Sequence, residues 1–220
     1  MILTIGGKKG GTGKSTVATN LAVWLAQEGY KFILLDADRT KTANSWTGRR
    51  NDLRAKDSSV PRIVCADKLG RDIAQTAIDF EQDYGIVLID AGGHDSVELR
   101  GALACSDWLY TPVAPSQFDV EALSSLAELV YEIQTSVNPN LKTKVVITQV
   151  DSSRGKDEFM FAKEAVAAFA EENHFELSQN YISTLKSYRK AGLEGRGVTE
   201  LSNSKAKAEI QMLAEEIFHE

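Results

Sequence analysis

Short apolar runs alternate with stretches of helical period along the whole chain. Ile2-Leu3-Thr4-Ile5 opens it as a strand. Val17, Leu21, Trp24 and Leu25 then share one helix face, and Glu28-Gly29 stops that helix. The segments from Lys31 to Asp36, Ile86 to Asp90, Trp108 to Val113 and Lys144 to Thr148 read as strands. Continuous apolar runs of this kind suit a parallel sheet covered on both faces. Arg62 to Cys65 and Tyr181-Ile182 are weaker strand signals. Helical period runs through Leu69, Ile73, Ala77 and Phe80, and a short helix is expected from Ser96 to Cys105. A long helix capped by Ser116 or Asp119 carries Val120, Leu123, Leu126, Ala127, Val130, Ile133 and Val137. Phe159, Ala162, Val166, Phe169 and Ala170 mark another, and Ile210, Leu213 and Ile217 a last one. Residues 41–55 are polar and basic around Trp46 and Leu53, a candidate helix. Gly192, Gly195 and Gly197 break any long helix in 187–203. The alternation predicts one doubly wound α/β domain over 1–220, with a mainly parallel sheet and helices on both faces.

Composition narrows the classes. The chain of 220 residues is 43% hydrophobic, long enough for one well-packed domain and short for two. No run approaches the roughly 18 apolar residues of a membrane span, and the first strand begins at once, without a secretory leader. Cys65 and Cys105 read as isolated core thiols of a reducing, cytoplasmic setting. His94, His174 and His219 have no metal-ligand spacing. The net charge of −6 excludes a generally basic nucleic-acid binder. Charge is nevertheless uneven. Lys186, Arg189, Lys190, Arg196, Lys205 and Lys207 stand against Glu194 and Glu200, and residues 39–56 are also basic.

The chemistry concentrates after the first strand, in Gly6-Gly7-Lys8-Lys9-Gly10-Gly11-Thr12-Gly13-Lys14-Ser15-Thr16. Strand, glycine-rich turn and helix start make a phosphate cradle of unpaired amides, with Gly10, Gly11, Thr12, Gly13 and Thr16 as backbone candidates. Lys14 reaches β- and γ-phosphates in such a turn, and the Ser15 hydroxyl ligates Mg²⁺. Four apolar residues ending in Asp90 form a Walker B pattern, whose aspartate contacts the metal or its water. Asp36 and Asp38 follow the second strand, at the end of the sheet where ligands bind. Thr148 and Gln149 are candidates for adenine contacts. Gly92-Gly93 supplies a turn able to sense the γ-phosphate.

One position departs from the simple P-loop, because Lys8 stands where G-x-x-x-x-G-K-[ST] has its first glycine. The run Lys9-Gly-Gly-Thr-Gly-Lys-Ser resembles instead the deviant P-loop of the ParA/MinD family. The resemblance continues through Asp36-Ala37-Asp38, Tyr110-Thr-Pro-Val-Ala-Pro-Ser116, Tyr188-Arg-Lys-Ala191 and Gly197-Val-Thr-Glu200. It is nearest the short ParA type without an N-terminal helix-turn-helix domain. Arg39 and Thr40 replace the proline and glutamine that usually follow the D-x-D of partition proteins.

The resemblance implies an ATP hydrolase using ATP and Mg²⁺. Lys9 would cross to the nucleotide of a second copy in an ATP-sandwich homodimer. Asp36 would lie near the Mg²⁺ shell, and Asp38 would orient the attacking water. It further implies slow turnover stimulated by a ParB-like or centromere-binding adaptor. The expected role is plasmid or other DNA partition, in nucleoid-associated bacterial cytoplasm, with Lys186, Arg189, Lys190, Arg196 and Lys205 as candidate contacts to non-specific DNA. Alternatives are a relative that positions a protein cargo and a MinD-like membrane-associated ATPase. The acidic stretch Ala214 to Glu220 speaks against membrane binding.

Overall fold

The computed structural model describes residues 1–151 and 156–219. Seven strands form one sheet in the order β3-β2-β4-β1-β5-β6-β7, and every neighbouring pair is parallel. They are β1 (Ile2–Ile5), β2 (Phe32–Ala37), β3 (Cys65–Asp67), β4 (Ile86–Ala91), β5 (Trp108–Val113), β6 (Lys142–Val150) and β7 (Glu176–Ser183). Between and after them lie α1 (Lys14–Gln27), α2 (Thr42–Lys56), α3 (Ile73–Tyr84), α4 (Val97–Cys105), α5 (Gln117–Ser136), α6 (Lys156–Glu172), α7 (Lys186–Glu194) and α8 (Ser204–His219).

Strand alternation sorts the side chains into two layers. Leu3, Ile5, Leu34, Leu88 and Val146 pack with Leu21, Trp24, Trp46, Ile210 and Leu213, so α1, α2, α7 and α8 cover one face. Ile2, Ile33, Ile89, Leu109 and Val145 point the other way, toward α3, α4, α5 and α6. The parity has a functional consequence. Asp36 follows Leu34 by two and Asp90 follows Leu88 by two, so both carboxylates project to the α1 face. Register sets them side by side, Asp36 opposite Asp90 and Asp90 opposite Ile5.

The polar, basic segment around Trp46 is helix α2 because its buried side, Ala43, Trp46, Thr47 and Arg50, recurs at helical spacing. β3 begins at Cys65, later than the apolar signal at Arg62. Helix α3 begins at Ile73, after Leu69. β7 is far longer than Tyr181-Ile182, since its polar residues alternate on an edge strand. Ser116 immediately precedes α5. The side chains of Asp119, Val120, Phe159 and Ala162 lie outside the described residues.

Candidate nucleotide site

β1 is central, and the chain leaves its carboxyl end directly into the glycine-rich turn. Gly13 stands at φ 96°, a left-handed conformation that turns the backbone into α1 without a Cβ penalty. No acidic residue occupies the first turn of α1, so its amides face the turn with their partial positive charge intact. The carboxyl end of β6 holds the turn from behind. The Thr148 hydroxyl donates to the Thr12 carbonyl at 2.7 Å, and the Gln149 amide donates to the Gly11 carbonyl. Both side chains thus shape the phosphate loop, a role their sequence context did not reveal.

Lys14 is 6% exposed, and its ammonium donates to the Lys9 carbonyl at 2.6 Å. Burial lowers its pKa, opposed by the negative charges of Asp90 and Asp38. Asp90 is fully enclosed. Burial pushes its pKa up to about 7, against the pull of the adjacent Ser15 hydroxyl. Even so, among the described residues neither Asp90 oxygen reaches hydrogen-bond geometry with any donor. A buried carboxylate left unsatisfied beside a hydroxyl fits a hard cation that takes its remaining ligands from water and phosphate. Among the described residues no three His, Cys, Asp or Glu side chains cluster as an all-protein metal cage. Mg²⁺ at nucleotide sites needs no such cage.

Asp36 is fully buried, and burial raises its pKa. Its oxygens accept from the Asp38 amide at 3.1 Å and the Asn44 amide at 2.8 Å. Asn44 lies in the first turn of α2, so Asp36 caps that helix from a distance and fixes the loop that carries Asp38. The Asp38 carboxylate accepts from the Thr40 amide at 2.8 Å, and the residue lines a cleft of about 860 Å³. Gly10, Ser15, Thr16, Gly93 and Ser96 line the same cleft. A Cβ on Gly92 would sit 3.2 Å from the Asp38 carboxyl, and one on Gly93 would sit 2.9 Å from the Gly10 amide. The Gly92-Gly93 turn therefore packs on both the phosphate loop and the water-orienting candidate. Sequence reading singled out this turn without indicating how closely it approaches.

The basic candidates gather elsewhere. Lys186, Arg189 and Lys190 are exposed on α7. The buried Tyr188 hydroxyl donates to Glu209 at 2.9 Å and contacts the Ala206 carbonyl, docking α7 against the start of α8, where Lys205 sits. Lys190 and Arg196 each lie 3.9 Å from Glu194, and Lys205 lies 4.0 Å from Glu209. Glu200 is turned inward and grips the buried Arg50 through two bonds of 3.0 and 2.9 Å.

Residues 3–198 match the model of the CobQ/CobB/MinD/ParA nucleotide binding domain. Protein ParA of Rhizobium radiobacter is 25% identical over 72% of this chain and 68% of its own. Maintenance of carboxysome distribution protein A of Gloeobacter kilaueensis is 27% identical over 95% of this chain and 90% of its own. The solved structure of apo McdA from Cyanothece superposes with a TM-score of 0.81 over 98% of both chains; at 17% identity it speaks for the fold alone. The chain belongs to the CobQ/CobB/MinD/ParA nucleotide-binding family, as a ParA/MinD-type P-loop ATP hydrolase.

Proposed function

We propose that this ATPase is a DNA-partition switch. ATP joins two copies across their phosphate loops, and the joined pair holds DNA non-specifically. Slow hydrolysis, stimulated by a ParB-like or centromere-binding adaptor, lets the DNA go. The observation that carries the reading is the inward turn of Glu200. It removes one of the two acids that offset the basic stretch, and leaves Lys186, Arg189 and Lys190 exposed on α7 beside Lys205. A cationic face on an acidic protein suits phosphate contacts that carry no sequence preference.

The chemistry asks for positioning and charge neutralisation more than covalent work. The α1 amides and Lys14 draw charge off the phosphates, and Lys14 exchanges the Lys9 carbonyl for a phosphate oxygen. Ser15 and Asp90 would hold Mg²⁺, which when bound neutralises β- and γ-phosphate oxygens. Asp38 orients the water from the cleft wall, and Asp36 keeps the Asp38 loop in place through its amide. Lys9 of a second copy supplies further positive charge, which ties turnover to pairing.

Anisotropy of an unrelated DNA duplex, titrated with ATP- or ADP-loaded protein across a salt series, tests the reading. Retention is expected with ATP alone, and should weaken steeply with salt. Replacing Lys186, Arg189 and Lys190 by glutamine should flatten the salt slope by about one per lost phosphate contact. Absence of retention at low salt contradicts the proposal.

The breadth of the match to the carboxysome-distribution protein supports a second reading, in which the same pair positions a protein assembly. Gene deletion separates the two: the first expects DNA loss at division, the second clumped assemblies with stable inheritance. A membrane mode has less to draw on. Ile210, Leu213, Ala214 and Ile217 of α8 are committed to the core, and among the described residues no helix is long and apolar enough to cross a membrane.

A further inference from the structure

Lys8, which occupies the place of the usual first glycine, does not point to the phosphates. Its ammonium donates to the Ser125 carbonyl of α5 at 3.1 Å and lies 3.4 Å from the Asp95 carboxylate. Asp95 is also held by Arg100 of α4 through two bonds of 2.7 and 3.0 Å. Arg100 reaches on to Glu132 of α5 at 2.8 Å. Asp95 and Ser96 line the nucleotide cleft, and Gly93 of the same turn backs onto Gly10. One chain of charge-assisted bonds thus connects the phosphate loop, the turn 92–96 and two helices behind them.

We propose that Lys8 is a positioning residue for ATP hydrolysis: it holds the turn 92–96 in register with the phosphate loop, so that the turn meets the γ-phosphate. The geometry separates this role from binding. The amides of the loop and Lys14 hold the phosphates whether or not Lys8 is charged. Asp95 keeps its Arg100 partner without Lys8, yet loses its only described link to the phosphate loop. The pair is 21% and 35% exposed, so it contributes little to folding, and removing its charge leaves a folded protein. This inference rests on ATP hydrolysis and is independent of any DNA role.

The test compares Lys8→Met and Lys8→Arg with wild type. Steady-state phosphate release and the affinities for ADP and a non-hydrolysable ATP analogue, both with Mg²⁺, are measured, with melting temperature as control. Lys8→Met should lower kcat on the order of ten-fold while KM moves by less than about two-fold, the mark of lost positioning. ADP affinity should hold while the preference for the analogue over ADP shrinks. Lys8→Arg should recover most of both. Unchanged turnover and preference in Lys8→Met overturns the proposal. So does equal weakening of ADP and analogue with a lower melting temperature, which would mark a merely structural lysine.

Discussion

Lys14 and Asp38 flank one cleft but answer to different forces. Lys14 is buried against a backbone carbonyl and draws on the negative charge around it. In the proposed mechanism it would compensate phosphate charge in the ground state and the transition state alike. Lys14→Ala should therefore lose both nucleotide affinity and turnover, the latter by about 100-fold or more. Asp38 sits on the cleft wall in an Asx turn with Thr40. Asp38→Asn keeps the turn and the volume, so Mg²⁺–ATP affinity should hold while kcat falls on the order of 100-fold. Equilibrium binding beside single-turnover hydrolysis checks the pair. Equal loss of binding in both variants would place Asp38 in the cradle rather than beside the water. That both residues line the cleft was legible because each follows an apolar strand in a motif of fixed spacing. Asp36 was legible only in part: its place after β2 was clear, but its engagement with the α2 amides depends on where α2 begins. Thr148, Gln149 and the Lys8–Asp95 contact are tertiary, and no local pattern announces them.

At the scale of elements, packing distances decide what the turns tolerate. The Gly92-Gly93 turn is pressed between Asp38 and Gly10. Gly93→Ala places a methyl 2.9 Å from the Gly10 amide, against backbone that cannot swing aside. Nucleotide affinity should fall about ten-fold as the phosphate loop shifts, at a folding cost of about 1–3 kcal/mol. Calorimetric ADP titration and urea unfolding measure the two effects; an unaltered affinity would show that the loop accommodates the methyl. Helix α4 supplies a contrast. Ser96 accepts from the Leu99 amide at 3.0 Å as an ordinary N-cap, so Ser96→Ala should cost about 1 kcal/mol in the same urea series. The central strands were plain in the sequence because burial on both faces leaves continuous apolar runs. β7 was not, since an edge strand mixes Gln179 and Asn180 with Ile182. Helix α7 hid behind its own terminator, for Gly195 ends it at φ 66° under the backbone of Arg50.

Across the whole molecule, one buried ion pair joins the half that binds nucleotide to the half that carries the basic face. Arg50 of α2 is fully enclosed, stands 5.5 Å from the Trp46 ring and is held by Glu200 and the carbonyls of Pro61 and Gly195. Its counterpart at the other end of α2 is the Asp36 cap. Glu200→Ala would strand the guanidinium in the interior and should destabilise the protein by about 3–5 kcal/mol. Chemical denaturation reads this directly, and a loss under about 1 kcal/mol would mean that water reaches Arg50. In the sequence Glu200 counted as an acid of the surface; its inward turn takes one negative charge off a face that is already basic.

The central claim is that the phosphate loop is half of a shared site, completed by Lys9 of a second copy. Sedimentation velocity of wild type and Lys9→Ala with Mg²⁺ and either ADP or a non-hydrolysable ATP analogue tests it most directly. The account predicts a dimer of wild type with the analogue alone, and monomers of Lys9→Ala in both states although it still binds nucleotide. A wild type that stays monomeric with the analogue, or a Lys9→Ala variant that pairs as wild type does, would contradict it.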